Sequence, residues 1–167
     1  MSGSNSASCL SGYTYSTVTE YGNQAGSCFR NKNELRKIST IAQYFYTTNR
    51  AGQNAAAQRF SNLVYNPPSF LNNYFAFITA NPQIIHYIQL QGSQSGYVTH
   101  YLIQYRNKEN APLICWNSCQ KVRGNINGSE NAELKLTHPI IATEIRIYPL
   151  RWVGSIWMSL EMLVEGQ

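Results

Sequence analysis

From Ile38 onward, short apolar or alternating stretches are separated by polar breaks: ISTIAQYFY, NYFAFIT, IIHYIQLQ, YVTHYLIQYR, ELKLTH, TEIRIYPL and WMSLEMLVE. Short β-branched and aromatic runs with turn chemistry between them predict strands, and a succession of them predicts an all-β sandwich or barrel. In YVTHYLIQYR strict alternation places Val98, His100, Leu102 and Gln104 on one face and Thr99, Tyr101, Ile103 and Tyr105 on the other. ELKLTH turns Leu134 and Leu136 inward between Glu133, Lys135 and Thr137. The one helix-like stretch, AGQNAAAQRF, has helix-forming alanines but no apolar stripe, so it reads as a loop with at most a short helical turn. Residues 1–27 are rich in Ser, Gly, Asn, Thr and Tyr, with Glu20 as their one acid and no apolar pattern of strand or helix length. They are expected to form a flexible, loosely attached arm.

The 167 residues suit one domain with a sizeable core. Charged residues make up only 13% of the chain, and all 8 acidic residues are Glu; there is no Asp. Its absence excludes a Ser-His-Asp triad, an EF-hand loop and other Asp-built sites as usually written. The formal net charge of +5 is spread along the sequence, with Arg30, Lys32, Arg36 and Lys37 interrupted by Glu34 and the rest single or in pairs such as Lys121/Arg123. A dispersed excess of this kind does not point to nucleic acid. No apolar run reaches the roughly 18 residues of a membrane span, and MSGSNSASCLSG has neither a basic nor an apolar signal region, so an intracellular chain is expected as written.

Cys115 and Cys119 form a C-x3-C pair, but Cys9 and Cys28 do not supply a second pair of comparable spacing, so no zinc site is expected. The four cysteines fit either two disulfides or four thiols. Asn127-Gly128-Ser129 is a glycosylation sequon, relevant only to a secreted chain. His86, His100 and His138 are scattered without metal-ligand spacing, so each reads as a packed or surface histidine. A catalytic reading would rest on Glu or Cys with His, or on Cys115–Cys119 as a reactive-thiol loop. The chain lacks a G-x-S-x-G elbow, a phosphate loop and a dinucleotide fingerprint, so no enzyme and no cofactor are expected.

The C-terminal half contains, in order, Leu90-Gln91-Gly92, Tyr97-Val98-Thr99-His100-Tyr101, Gly124-Asn125, Pro139-Ile140-Ile141-Ala142, Ile145-Arg146-Ile147-Tyr148-Pro149, Trp152 and Leu160-Glu161. This series resembles the discoidin family, also called the coagulation factor V/VIII type C domain, in which a TQG turn, WVTSY, GN, PI-x-A, IRI-x-P, Trp and EL recur. Upstream, Lys37-Ile38 to Ala42 is similar to the family's ITAS strand and Tyr74-Phe75-Ala76-Phe77 to its WLQVDL strand. The resemblance implies one discoidin-type domain over residues 28–167, an eight-stranded jelly-roll β-sandwich that binds ligands through loops at one end. It implies no catalysis, and family habit is extracellular.

Several positions depart from the family pattern. No Cys near the C-terminus can complete the usual staple, which leaves Cys28 free or paired with Cys9. Ile78 and Asn127 stand where the family has Asp, and Ser159 where it has Arg, so a calcium-dependent lectin mode is not expected. Trp152 is expected to pack under the core, and Arg146 to pair with Glu161.

On this resemblance the three ligand-binding loops carry Asn49, Arg50, Gln53 and Asn54; Phe70, Leu71 and Asn72; and Ser93, Gln94 and Tyr97. Amides offer paired donors and an acceptor, Arg50 a fork of donors, and Tyr97 a flat apolar face for a sugar ring. Asn, Gln and Ser also suit turns for purely structural reasons. The expected ligand is a glycan, in adhesion or recognition, with two alternatives. One is a protein partner in a larger assembly; the other is an anionic membrane surface met by Phe70 and Leu71, with Arg50 and Arg59 beneath. A shallow sugar site binds weakly per copy, so an oligomer or several copies on one scaffold are expected.

Overall fold

The computed structural model describes residues 9–20, 23–41, 44–47, 63–65, 74–154 and 156–166. Among these the regular elements are strands and short 3-10 turns: β1 (Tyr13–Glu20), β2 (Asn23–Arg30), β3 (Arg36–Lys37), β4 (Tyr44–Thr47), β5 (Leu63–Tyr65), β6 (Phe75–Gln91), β7 (Gly96–Arg106), β8 (Ile114–Cys115), β9 (Val122–Arg123), β10 (Ala132–Gly154) and β11 (Ile156–Gly166). All pairings are antiparallel.

Two long strands serve both layers of a sandwich. The first part of β6, Phe75 to Ile78, pairs with β4 and with Glu144 to Ile147 of β10, whose next neighbour is β7. The second part, Gln83 to Gln91, pairs with β11 and with the earlier part of β10, from Ala132 to Ala142. Register shifts at Lys135/Ile140 and Ala142/Glu144 mark where β10 passes from one layer to the other. Phe75, Phe77, Ile103, Ile145 and Ile147 from one layer meet Ile88, Leu90, Leu134, Leu136, Met158 and Leu160 from the other in a single apolar core. The alternation predicted for ELKLTH holds, with Leu134 and Leu136 buried. Trp152 packs against the same core.

The alternation predicted for YVTHYLIQYR breaks. Val98 and Tyr101 are both buried although they are an odd number of positions, three, apart. The cause is a bulge: Val98 lies opposite Trp152 and His100 opposite Arg151, so two steps on β7 meet one on β10. His100 is thereby turned to the outer face, away from Val98.

β1 and β2, which lie largely within the expected N-terminal arm of residues 1–27, pair antiparallel, and the domain boundary expected at residue 28 falls inside β2. Phe29 packs with Tyr87, Leu163 and Leu35 in a second small core on the outside of the sandwich. The Tyr87 hydroxyl donates to the Arg30 carbonyl, and Lys135 reaches both Ser16 and the Phe29 ring. Cys9 and Cys28 are joined, as are Cys115 and Cys119. The second bond removes the reactive-thiol reading, since no free thiol remains. Of Lys37-Ile38 to Ala42, expected as a strand, Ala42 lies outside the described residues, and the rest gives the end of the two-residue β3 and a 3-10 turn at Ile38–Thr40.

The partner expected for Glu161 is also different. Its carboxylate accepts from the Ser39 hydroxyl and the Met162 amide, and burial pushes its pKa up. Arg146 instead bonds Glu144, which Arg106 grips from the adjacent strand at 2.7 Å, and Arg146 also lies 4.3 Å over the Tyr74 ring. Opposite charges two residues apart on one strand share a face, which the period of the sheet makes a closer pairing than one across the core.

Candidate functional site

The strand registers place the flanks of all three expected loops at one end of the sandwich. β4 ends at Thr47 opposite Phe75, where β6 begins; β5 ends at Tyr65 opposite Ile156; and Gly96, opening β7, lies opposite Gly154 at the close of β10. Asn49, Arg50, Gln53, Asn54, Phe70, Leu71 and Asn72, like Arg59, lie outside the described residues. Ser93, Gln94 and Tyr97 are described.

These three sit on a tight turn. Ser93 and Gly96 exchange backbone hydrogen bonds of 2.9 and 3.2 Å across Gln94 and Ser95, whose side chains are exposed, and the Ser93 hydroxyl accepts from the Ser95 amide. Tyr97 follows, half-buried and opposite the exposed Val153. The turn is clamped by two further backbone segments. A Cβ on Gly128 would lie 2.0 Å from the Ser93 carbonyl oxygen, so the 127–129 loop rests directly on the turn. Gly154, at φ +68°, approaches Ser95 as closely as only glycine permits.

The clamping loop is itself fixed from within. Asn125 is 1% exposed, and its Nδ2 donates to the carbonyls of Leu90 and Glu130 at 3.0 and 2.9 Å. The Asn127 side chain accepts from the Ser129 and Glu130 amides, the Asx turn that closes the loop. From the sequence, Gly124-Asn125 reads as a family motif and Asn127 as a sequon residue standing where the family has Asp, and neither reading places them at this end. The signal available in sequence was that each of the two amides adjoins a glycine, Asn125 after Gly124 and Asn127 before Gly128. Ile126, 62% exposed, and Val153, 50% exposed, add apolar surface. The result is a rigid rim of hydroxyls, amides and backbone polar groups beside a tyrosine ring, suited to hydrogen-bonding a neutral polar ligand with one apolar face.

The F5/8 type C domain model matches residues 47–162. The chain belongs to this family. Its fold is similar to that of discoidin II from Dictyostelium discoideum, with a TM-score of 0.57 at 16% identity, covering 91% of this chain and 54% of that one. It is similar to the family 32 carbohydrate-binding module of C. perfringens NanJ in complex with galactose, with a TM-score of 0.51 at 15% identity, covering 79% and 95%. It is also similar to the CBM32-1 and CBM32-2 domains of Clostridium perfringens ZmpB, with a TM-score of 0.61 at 10% identity, covering 93% and 42%. The chain thus spans about half the length of the discoidin II chain it matches. At these identities the likeness is one of fold. Among the described residues of this F5/8 type C domain, no cluster of His, Cys, Asp and Glu is placed to hold a metal, and no helix is long and apolar enough to cross a membrane.

Proposed function

We propose that the chain is a non-catalytic carbohydrate-binding module whose ligand docks at the loop end built around Ser93, Gln94 and Tyr97. The observation that supports this most is the clamped turn: polar groups held in place by Gly128, Gly154 and Asn125 beside the half-exposed Tyr97 ring. A preorganised rim of this kind loses little conformational entropy on binding, which a small neutral sugar requires. The galactose-bound module of the same fold supports the choice of ligand class. Asn49, Arg50, Gln53, Asn54, Phe70, Leu71 and Asn72 complete the rim in this reading, and adhesion or recognition is its use.

A glycan array probed with the purified chain tests it, with anionic liposomes and a Tyr97→Ala variant alongside. Binding to a related group of glycans, lost by about tenfold or more in Tyr97→Ala, is expected, since one stacked ring contributes on the order of 1.5 kcal/mol. Silence across the array combined with liposome binding would replace this reading with the membrane one.

A further inference from the structure

The cations that are dispersed in sequence converge in the fold. Arg123 on β9 lies opposite His100 on β7, and His100 opposite Arg151 on β10, so the three form one row across adjacent strands. Neighbouring strands are about 4.8 Å apart, which places the two arginine Cα atoms roughly 10 Å apart with His100 between them. Lys121 precedes Arg123 by two residues, and its charge also reaches His100. Arg123, Arg151 and Lys121 are exposed, and no ion pair of theirs occurs among the described residues.

The row is on the outer face because of the bulge. Val98 and Trp152 face the core, whereas His100 and Arg151 are turned out on the side that also carries Tyr97 and Val153. The basic row is therefore continuous with the loop end, about two to three residues, or roughly 7–10 Å, further along the strands. The His100 Nδ1 is engaged by the Thr99 hydroxyl at 3.0 Å. Partial burial first, and then the positive charges of Arg123, Arg151 and Lys121, lower the His100 pKa.

We propose that Arg123, His100, Arg151 and Lys121 form a second subsite that receives the sulfate of an acidic oligosaccharide whose neutral end occupies the loop rim. This rests on the glycan-binding reading above. The chemistry favours this ligand over other polyanions. Two arginines presenting forks of donors match a carboxylate or sulfate, and the neighbouring Tyr97 matches a sugar face. Three cations, Lys121, Arg123 and Arg151, fall short of the six to ten phosphate contacts of a typical duplex-binding surface. The row lies on the side of the sheet, set back from the Ser93–Gly96 turn.

The test is isothermal titration of the whole chain with a chondroitin sulfate tetrasaccharide, its unsulfated counterpart, the neutral disaccharide lactose and a short DNA duplex. It is repeated with Arg123→Gln/Arg151→Gln, and with Lys121→Gln as a milder variant. The sulfated tetrasaccharide is expected to bind at least about tenfold more tightly than the unsulfated one, as one charge-assisted contact permits. That preference should collapse in the double variant, shrink in Lys121→Gln and weaken with salt, while lactose binding stays unchanged. Lactose binding without any sulfate preference would overturn this inference and leave the loop-end reading standing. A sulfate preference that persists in the double variant would overturn it as well, as would duplex DNA binding as tightly as the sulfated sugar. Failure of every sugar to bind would overturn both readings.

Discussion

Replacing Glu144 with Gln leaves two guanidinium groups facing each other without the carboxylate they share. Arg106 donates through Nε and Nη2, at 3.0 and 2.7 Å, to one Glu144 oxygen, and Arg146 donates to the other. The carboxylate side chain is 6% exposed, and those of Arg106 and Arg146 are 23% and 16% exposed. Breaking a fully buried pair of this sort costs about 3–5 kcal/mol. Because both arginines retain some solvent, we expect a loss of about 2–3 kcal/mol at pH 7. In urea, with a slope of about 2 kcal/mol per molar, that lowers the unfolding midpoint by about 1–1.5 M.

The pH dependence adds a second check on the same variant. Burial would raise the Glu144 pKa, but the hydrogen bonds and charges of Arg146 and Arg106 outweigh it and hold the carboxyl below its ordinary value. A depressed folded-state pKa gives stability that is complete above the unfolded value of about 4.3 and is lost as pH falls below it. The gap between wild type and Glu144→Gln should therefore narrow from pH 7 to pH 3. A loss under about 0.5 kcal/mol at pH 7, the range of an ordinary surface change, or a gap that does not vary with pH, would refute the reasoning.

Three further predictions follow from other parts of the molecule. Gly128→Ala should push the 127–129 loop off the Ser93 carbonyl; backbone amide shifts should move at 92–97 and sugar affinity fall, with a stability loss of about 1–3 kcal/mol. Removing the Cys9–Cys28 bond by Cys9→Ser/Cys28→Ser should loosen the β1–β2 pair, raising amide exchange in β1 and β2 while β6 and β10 stay protected; a 19-residue closure contributes about 3 kcal/mol in the chain-entropy view. Burial raises the Glu161 pKa, so the folded state holds its proton to higher pH than the unfolded one, and this carboxyl reduces stability as pH rises above the unfolded value. Glu161→Gln should therefore match or exceed wild type in urea unfolding at pH 7 and show no gain at pH 4.

The sandwich was legible because its strands bury one face each, and alternation such as that of Leu134 and Leu136 reports burial directly. Alternation assumes an unbroken ladder, so it misassigned His100, where a bulge resets the phase. The β1–β2 pair escaped notice because its main anchors are Phe29, a disulfide and contacts to Tyr87 and Lys135, none of which leaves a period in sequence. The turn at Ser93–Tyr97 was read from loop chemistry, but its clamps at Asn125, Gly128 and Gly154 come from remote segments. The convergence of Lys121, Arg123 and Arg151 was likewise invisible in a list of charges, because strand pairing creates it.

The central claim is that sugar binds at the loop end, and a residue-resolved titration tests it most directly. Backbone amide shifts of the isotope-labelled chain should be followed as a glycan selected from the array is added. The account predicts saturable changes centred on Ser93 to Tyr97, Asn125 to Ser129 and Val153 to Gly154. Changes confined to the opposite end, around Thr79 to Pro82 or Asn107 to Pro112, would contradict it, as would none at saturating sugar.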